Sequence, residues 1–291
     1  MDTNLTNQPL PFSVLISIYH KENPDFFRQA LRSIWNDQRL KPTEIVIVRD
    51  GPLTTELDAV ISVFSLTAPV KLVTLAENQG LGVALAKGME ACSEAIVARM
   101  DSDDISVPER FEKQIQFLAE NPEVAFISSY IAEFSTDLNE VVSIKAVPGS
   151  HQEIMQFSRT RSPMNHMAVM FRKQAVIDAG NYQPFRGYED YFLWVRMLVK
   201  GYKAANIKEN LVYGRIGNNM LSRRKGLVFF RQELRLQRAF YRLHFIDSRT
   251  YVINTVLRSA SRLLPAFALG LVYKLLRKNA YRRFRVREYP L

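Results

Sequence analysis

Short apolar runs and segments with helical spacing alternate along the first hundred residues. The apolar runs are rich in β-branched residues and predict four strands, at Phe12–Ile18, Glu44–Val48, Val70–Leu75 and Ala95–Met100. Apolar positions at helical intervals predict helices between them, at 24–36, 53–64 and 82–93. Strands that alternate with helices form βαβ units, so we expect a parallel sheet that is covered on both faces.

The pattern continues with less regularity to about residue 222. It predicts three more helices, at 110–120, 173–179 and 190–200, and three short strands, at 124–127, 168–171 and 210–213. The sequence therefore predicts an α/β fold over residues 1–222, with a mostly parallel central sheet flanked by helices.

Residues 223–291 differ in charge from the rest of the chain. They hold 17 of the 39 Lys and Arg residues and three of the 29 acids, a net charge of +14 that leaves −4 for residues 1–222. Their longest run without charge, Leu263–Tyr273, is shorter than the ~20 residues that cross a bilayer. We expect a basic amphipathic helical appendage that lies on an anionic membrane surface. Alternatively, these helices pack on the first domain and expose their charges to water.

The N-terminus and the cysteine content indicate the compartment. Residues 1–10 lack the basic start and apolar stretch of a secretory signal. Cys92 is the single cysteine, which fits a reducing environment, and with four scattered histidines no structural zinc site is expected. We therefore predict a cytoplasmic protein, peripheral on the inner face of the cell membrane.

Polar side chains lie at the ends of three of the first four predicted strands. They are Ser17 and Tyr19 at the end of the first strand, Asp50 after the second, and Asp101 and Asp103 after the fourth. Ligands of parallel sheets bind at these carboxyl ends. Two carboxylates at a spacing of two suit Mg²⁺ or Mn²⁺ together with phosphate oxygens and water. A solvated acidic turn, or a helix cap at Asp104, would explain the same acids without a metal.

Three further features carry candidate chemistry. Glu189 and Asp190 open a predicted helix and could supply a general base, although the helix dipole alone also favours acids in a first turn. Arg215, flanked by glycines, could clamp a diphosphate or be an ordinary surface arginine. Asp50 lies in a turn, where aspartate is common without any function. The loop after the third strand is not GxGxxG, so the dinucleotide-binding fingerprint is absent.

Taken together, these residues resemble the family-2 glycosyltransferases with a GT-A fold. The resemblance covers about residues 10–220 and rests on the order of several motifs that are individually weak. The motifs are Phe12–Tyr19, Asp50, Asn78-Gln79-Gly80-Leu81, Met100-Asp101-Ser102-Asp103-Asp104, Pro108-Glu109-Arg110 and Glu189-Asp190.

The resemblance implies a role for each motif. Asp103, with Asp101, would bind the Mn²⁺ or Mg²⁺ that bridges the diphosphate of a nucleotide-sugar donor. Asp190 would be the catalytic base, with Glu189 beside it. Residues of the sugar and acceptor region would be Asn165 and His166. The nucleotide site would be lined by Ser17, Tyr19, Asp50 and Asp101, with Arg215 at the diphosphate.

The reaction that the resemblance implies is a single in-line displacement with inversion at the anomeric carbon. Asp190 would take the proton from the acceptor hydroxyl, and the metal would stabilise the departing diphosphate. The expected acceptor is a lipid-linked saccharide of envelope polysaccharide synthesis. Two departures affect the nucleotide contacts: Arg49 stands where the family often has aspartate, and Leu85-Ala86 stand where it often has an Arg-Asn pair.

Two other classes of protein remain as alternatives. A sugar nucleotidyltransferase would use a similar sheet, but the stretch Tyr19–Asn23 is not a glycine-rich basic phosphate loop. A nucleic-acid-binding protein would use the basic tail, but no reading module is found there. Because that reading also leaves the placed acids unexplained, we expect no nucleic acid partner.

Overall fold

The computed structural model describes residues 9–135, 137–138, 140–216 and 226–263. Most of the predicted charge-free run Leu263–Tyr273 lies outside these residues. The chain divides into two compact units, Met1–Met220 and Leu221–Leu291. The described part of the first is a mixed α/β structure, and that of the second is a pair of helices.

Four parallel strands form one half of the central sheet, and they are the four that the sequence predicts. They are β1 (Phe12–Ile18), β2 (Glu44–Arg49), β3 (Val70–Thr74) and β4 (Ile96–Met100). They lie in the order β3-β2-β1-β4, and every neighbouring pair is parallel. Their carboxyl ends therefore share one edge of the sheet.

The other half of the sheet is mixed in direction. Its strands are β5 (Ile105–Ser106), β6 (Val124–Phe134), β7 (Val141–Lys145), β8 (Met170–Arg172) and β9 (Lys203–Arg215). β8 joins the two halves, because it pairs antiparallel with both β4 and β6. β6 is parallel to β9 and antiparallel to β7, and β5 pairs antiparallel with β9. The α/β fold is confirmed, with its parallel pairing concentrated in the first half.

Three predicted strands differ from the observed ones. The strand predicted at 168–171 is wrong in its start: a 3-10 helix spans His166–Ala168, and β8 begins at Met170. The strands predicted at 124–127 and 210–213 are too short, since β6 has 11 residues and β9 has 13. These two long strands pair along most of their length and form the centre of the second half.

Seven α-helices of the first unit are described. They are α1 (Pro24–Ile34), α2 (Thr55–Phe64), α3 (Leu81–Ala91), α4 (Arg110–Glu120), α5 (His151–Phe157), α6 (Lys173–Asp178) and α7 (Glu189–Val199). The short α5, which has a Ser150–Glu153 capping box, is absent from the prediction. α1 begins where predicted, because the Asn23 side chain accepts from the N–H groups of the first turn and Pro24 occupies its first position.

Helices cover both faces of the parallel half. On one face Phe12 and Ile16 belong to a continuous buried cluster with Phe27 of α1 and Phe111 of α4. On the other face α3 lies so close that a Cβ on Gly88 would be 2.3 Å from Leu15 Cδ1. This close contact packs α3 directly against β1 and β2.

The second unit contains α8 (Leu227–Arg242) and α9 (Ser248–Leu263), which contact each other. Glu233 of α8 is fully buried and accepts from Arg258 Nε of α9 (2.6 Å) and from Gln237 Nε2 (3.0 Å). Asn254 Nδ2 donates to Gln237 Oε1 (3.1 Å) and completes the network. No helix among the described residues is long and apolar enough to cross a membrane.

Candidate active site

The register of the parallel strands brings the predicted strand-end residues together. Ile16 pairs with Met100 and Ile18 pairs with Arg49. The next residues along, Ser17 with Asp101 and Tyr19 with Asp50, are therefore neighbours at the carboxyl edge, and both Ser17 and Tyr19 are half-buried.

Asp50 shapes the loop that leads into α3. Its two carboxylate oxygens accept the backbone N–H groups of Gln79 (2.7 Å) and Gly80 (3.0 Å). The next residue, Gly51, has a φ of +85°, and a Cβ there would lie 2.7 Å from the Asn78 nitrogen. Asp50 thus holds the loop at Gln79 and Gly80 against β2, and its own contact with a nucleoside stays a prediction.

The acidic turn that follows β4, residues Asp101–Asp104, concentrates three carboxylates. Asp101 forms an ion pair with the buried Arg99, and Asp104 Oδ1 accepts the backbone N–H of Arg215 (2.8 Å). Burial and the neighbouring Asp101 charge raise the pKa of Asp103 to about 6. The same two causes, together with the Asp103 charge, raise the pKa of Asp104 well above its usual value.

Arg215 is held against the acidic turn. Its guanidinium carbon lies 3.9 Å from the ring centroid of Phe26 and 4.5 Å from that of Phe134. Its Nε donates to the backbone oxygen of Asp103 (3.1 Å), and its Nη2 donates to Gln29 Oε1 (2.9 Å). The guanidinium therefore lies next to Asp103, and the predicted clamp on a diphosphate stays a prediction.

Glu189 and Asp190 lie in the first turn of α7 with different surroundings. Glu189 is 8% exposed, whereas Asp190 is half-buried. A Cβ on Gly82 would lie 3.0 Å from Glu189 Cγ and 2.6 Å from the backbone oxygen of Gln183. The missing side chain at Gly82 thus lets Glu189 pack against the start of α3, and Asp190 is the more accessible acid.

Asn165 and His166 lie at the 3-10 helix before β8. Asn165 is fully buried, and its Nδ2 donates to the backbone oxygens of Ser129 (2.8 Å) and Lys145 (3.1 Å). His166 Nε2 lies 2.9 Å from the hydroxyl of Tyr182. Burial and the Arg99 charge lower the pKa of His166 well below its usual value, so the imidazole is neutral at physiological pH.

Tyr182 links the two groups of acids. Its pKa is raised by burial and by the charges of Asp190, Asp101 and Glu189, against the opposing charge of Arg99. All four charged groups therefore lie within electrostatic range of one phenol. The structure thus brings the acidic turn, the α7 acids and His166 into one site at the carboxyl edge of the parallel strands.

Several residues that build this site are missing from the sequence prediction. Arg99 and Tyr182 are the central ones, and a charged residue inside the apolar run Ala95–Met100 is the signal that could have identified Arg99. Arg110, which the sequence shows only as part of a motif, donates from Nη2 to the backbone oxygen of Arg99 (2.7 Å) and from Nε to Gln114 (3.0 Å). Gln114 in turn donates to the backbone oxygen of Ala168 (2.8 Å). This chain of contacts ties β4 to the His166 segment.

The donor set of the acidic turn fits a hard divalent cation. No group of three or more His, Cys, Asp or Glu side chains among the described residues forms a ready-made metal site. Mg²⁺ and Mn²⁺ sites of nucleotide enzymes need only one or two carboxylates, because phosphate oxygens and water supply the rest. The raised pKa of Asp103, caused by burial and by Asp101, reflects a repulsion that a bound cation would relieve.

The family model that matches this chain is that of glycosyl transferase family 2, over residues 13–180. An uncharacterized glycosyltransferase of Haemophilus influenzae is 43% identical, over 91% of this chain and 98% of its own. The amylovoran biosynthesis glycosyltransferase AmsE of Erwinia amylovora is 40% identical, over 92% and 100%. The UDP-Gal:alpha-D-GlcNAc-diphosphoundecaprenol beta-1,3-galactosyltransferase of Escherichia coli is 39% identical, over 90% and 95%.

Solved structures share the fold at low sequence identity. S. aureus TarS 1–349 in complex with UDP-GlcNAc has a TM-score of 0.66 and 15% identity, over 87% of this chain and 74% of that one. The mannosyltransferase PcManGT of Pyrobaculum calidifontis, in complex with GDP-Man and Mn²⁺, has a TM-score of 0.57 and 15% identity, over 93% and 81%. These likenesses confirm the predicted GT-A-like fold.

Proposed function

The chain belongs to glycosyl transferase family 2, and from this membership we propose that it transfers a sugar from a nucleoside-diphosphate sugar to a hydroxyl of a lipid-linked saccharide, with inversion. The observation that carries the proposal is the meeting of two groups of acids around Tyr182, the acidic turn and the first turn of α7. One group suits a metal-bound diphosphate and the other suits a general base, which are the two requirements of this reaction.

The donor would bind along the carboxyl edge of β1, β2 and β4. Ser17 and Tyr19 would contact the nucleoside. Asp50 would contact it as well, and would also fix the loop before α3 by accepting the N–H groups of Gln79 and Gly80. Asp101 would face the ribose, next to Ser17. Arg215, stacked between two rings beside Asp103, would contact the diphosphate.

Asp103, with Asp101, would hold the Mn²⁺ or Mg²⁺ ion. When bound, a divalent cation supplies positive charge that stabilises the diphosphate as it leaves. The mannosyltransferase that shares this fold binds Mn²⁺ together with its GDP-sugar, which supports a metal requirement here.

Asp190 would act as the general base. It would take the proton of the acceptor hydroxyl as that oxygen attacks the anomeric carbon, and the bond from this carbon to the diphosphate oxygen would break. Glu189 packs against Gly82 and would keep the first turn of α7 in place. One protein carboxylate suffices, because the diphosphate leaves without being protonated.

The acceptor side would include Asn165 and His166. The neutral imidazole of His166, which is hydrogen-bonded to the Tyr182 hydroxyl, can donate a hydrogen bond to a sugar hydroxyl or accept one from it. The E. coli relative acts on a diphosphoundecaprenol-linked saccharide, and the E. amylovora relative is named for amylovoran biosynthesis. The E. coli name supports a lipid-linked acceptor, and the E. amylovora name supports a role in envelope polysaccharide synthesis.

The second unit would hold the enzyme at the inner face of the membrane. Val252, Ile253, Val256 and Leu257 of α9 are 45% to 66% exposed and lie on one helical stripe. The basic residues of 223–291 complement anionic lipids, and each could add about 1 kcal/mol of attraction near such a surface.

Vesicle sedimentation tests this membrane role. We expect binding to phosphatidylglycerol vesicles that weakens with salt and is reduced by Val256→Ser with Leu257→Ser. The matched control is Val63→Ser, an exposed apolar residue of α2. Equal binding by the stripe variant and the wild type, or binding to neutral vesicles alone, would contradict the role.

A transfer assay tests the reaction. Membrane extracts that carry undecaprenyl-diphosphate saccharides are supplied with UDP- and GDP-sugars and Mn²⁺, and the anomeric configuration of the product is read by NMR. Replacing the base, Asp190→Asn, should reduce kcat by about 10²–10⁴-fold, whereas Asp178→Asn on exposed α6 should not. A product with retained configuration, or an unimpaired Asp190→Asn variant, would refute the assignment.

A further inference from the structure

Arg99 is a charged side chain in an unusual position, the interior of β4. It is 2% exposed, and the neighbouring strand residues Ala98 and Met100 belong to the apolar core. A guanidinium is costly to remove from water unless it meets an opposite charge and its N–H groups find acceptors. Its burial therefore calls for a specific explanation.

The backbone of Arg99 is fixed from both sides. Its N–H donates to the backbone oxygen of Val169 (2.8 Å), which precedes β8. Its backbone oxygen accepts from Arg110 Nη2 (2.7 Å), and Arg110 is itself held by Gln114. The position of Arg99 is thus determined by β8 and α4 as well as by its own strand.

The side chain of Arg99 lies on the same side of the strand as that of Asp101, two residues later. The two form an ion pair between Arg99 Nη2 and Asp101 Oδ1. The Nε and Nη1 groups of Arg99 have no hydrogen-bond partner among the described residues. Other ionisable groups that interact with the guanidinium are Asp103, Asp104, Tyr182, His166 and Arg110.

We propose that Arg99 is a positioning residue for Asp101: the rigid, buried guanidinium holds one carboxylate oxygen of Asp101 and leaves the other for the nucleotide donor and its metal. The inference rests on the proposed function of Asp101. The Asp101 side chain is 30% exposed at the edge of the site while its Oδ1 is held by Arg99, so the carboxylate is both fixed and accessible. Partners that orient a metal ligand in this way typically change affinity by about 10–100-fold when removed.

A purely architectural arginine would behave differently, and the chain offers one for comparison. Arg172 of β8 donates from Nε to the backbone oxygen of Val124 (3.0 Å) and from Nη2 to that of Leu118 (2.9 Å). It pairs with Ile96, at the opposite end of β4 from Asp101. Its removal should lower stability without changing nucleotide binding.

The test is a double-mutant cycle on the full chain, with Kd measured by calorimetry for UDP and GDP in Mn²⁺. The variants are Arg99→Met, Asp101→Asn and the double variant, with Arg99→Lys and Arg172→Met beside them. We expect Arg99→Met to weaken binding by about 10–100-fold. The double variant should have a Kd no higher than that of the single variant with the higher Kd, because Arg99 acts through Asp101. Arg99→Lys, which keeps the charge, should recover part of the loss.

The outcomes separate the two proposals. If the fold losses of the single variants multiply in the double variant, or if Arg99→Met only lowers the melting temperature as Arg172→Met does, the positioning role is wrong while the proposed function stands. If wild-type protein binds neither nucleotide, the proposed function fails and this inference fails with it. Should Arg99→Met not fold, Arg99→Lys and its double variant with Asp101→Asn form the cycle instead.

Discussion

Glu189 and Asp190 are adjacent acids that differ in burial. Glu189 is packed against the start of α3, where Gly82 leaves room for it, and Asp190 is more accessible at the site. A first turn with one buried acid and one half-buried acid suits the proposed division of roles, in which Glu189 positions the helix and Asp190 is the general base. Gly82 is the residue on which this arrangement depends.

Gly82→Ala should therefore destabilise the protein. In an exposed helix interior this change stabilises by about 1 kcal/mol, but here the methyl group would meet Gln183 O at 2.6 Å and Glu189 Cγ at 3.0 Å. We expect a lower free energy of unfolding in urea and a lower kcat. Lys87→Ala, which changes an exposed residue of the same helix, is the control. A Gly82→Ala variant as stable and active as this control would show that Glu189 does not need its close approach to residue 82.

His166 should make stability depend on pH. Burial and Arg99 lower the pKa of His166 well below the usual 6.5, so the unfolded chain binds a proton that the folded chain does not. The free energy of unfolding should thus fall as pH drops below about 6.5, by up to about 1.4 kcal/mol per pH unit from this group. His166→Gln should have a shallower dependence than the wild type between pH 7 and 5. Parallel curves for the two proteins would contradict the buried, neutral imidazole.

At the residue scale, the sequence predicts acids better than it predicts what surrounds them. Asp101 and Asp103 follow a predicted parallel strand, so their place at the carboxyl edge could be inferred from the sheet, whereas the role of Glu189 and Asp190 follows only from the family resemblance. The roles of Arg99 and Tyr182 depend on packing between segments that are far apart in the chain. The periodicity of apolar residues does not predict such contacts. The sequence predicts that Asp50 lines a nucleoside site, but it does not predict the hydrogen bonds of Asp50 with Gln79 and Gly80, which the structure shows.

At the scale of elements, burial explains which strands the sequence predicts. The strands β1, β2 and β4 are buried apolar runs because helices cover both faces, whereas β3 at the edge of the sheet is exposed or half-buried along its length. The prediction for all four strands is accurate to one or two residues. β6 continues past its predicted end through Ser128 and Ser129, whose buried hydroxyls donate to backbone oxygens. Polar residues that are satisfied internally interrupt the apolar pattern without ending the strand.

The pair of helices in the second unit offers a test at this scale. Arg258→Met removes a cation that donates to the buried Glu233 carboxylate and should destabilise the helix pair by about 3 kcal/mol, read as faster hydrogen exchange in α8 and α9. Adding Glu233→Met should restore most of the protection, because the buried carboxylate is then replaced as well. Arg249→Met, which changes an exposed arginine of α9, is the control. Equal exchange in the single and double variants would show that the Glu233–Arg258 pair does not hold the helices together.

At the scale of the whole molecule, charge and fold divide the chain in similar places. Residues 1–222 are mildly acidic and 223–291 strongly basic, and the compact units divide at Met220. The parallel half of the sheet and its carboxyl edge follow from the sequence pattern. The direction of β8, which joins the two halves, does not, because a three-residue strand carries too little pattern to define its pairing.

The central claim is that this edge binds a nucleoside diphosphate through a metal held at Asp103, and calorimetric titration tests it most directly. Wild-type protein, Asp103→Ala and the surface control Asp178→Ala are titrated with UDP, GDP, ADP and CDP in Mn²⁺ and in EDTA. We predict that one diphosphate binds wild type and Asp178→Ala in Mn²⁺, at least about tenfold more weakly in EDTA, and that Asp103→Ala loses the metal-dependent part. Absence of binding to every nucleotide, or binding that is indifferent to both Mn²⁺ and Asp103, would contradict the account.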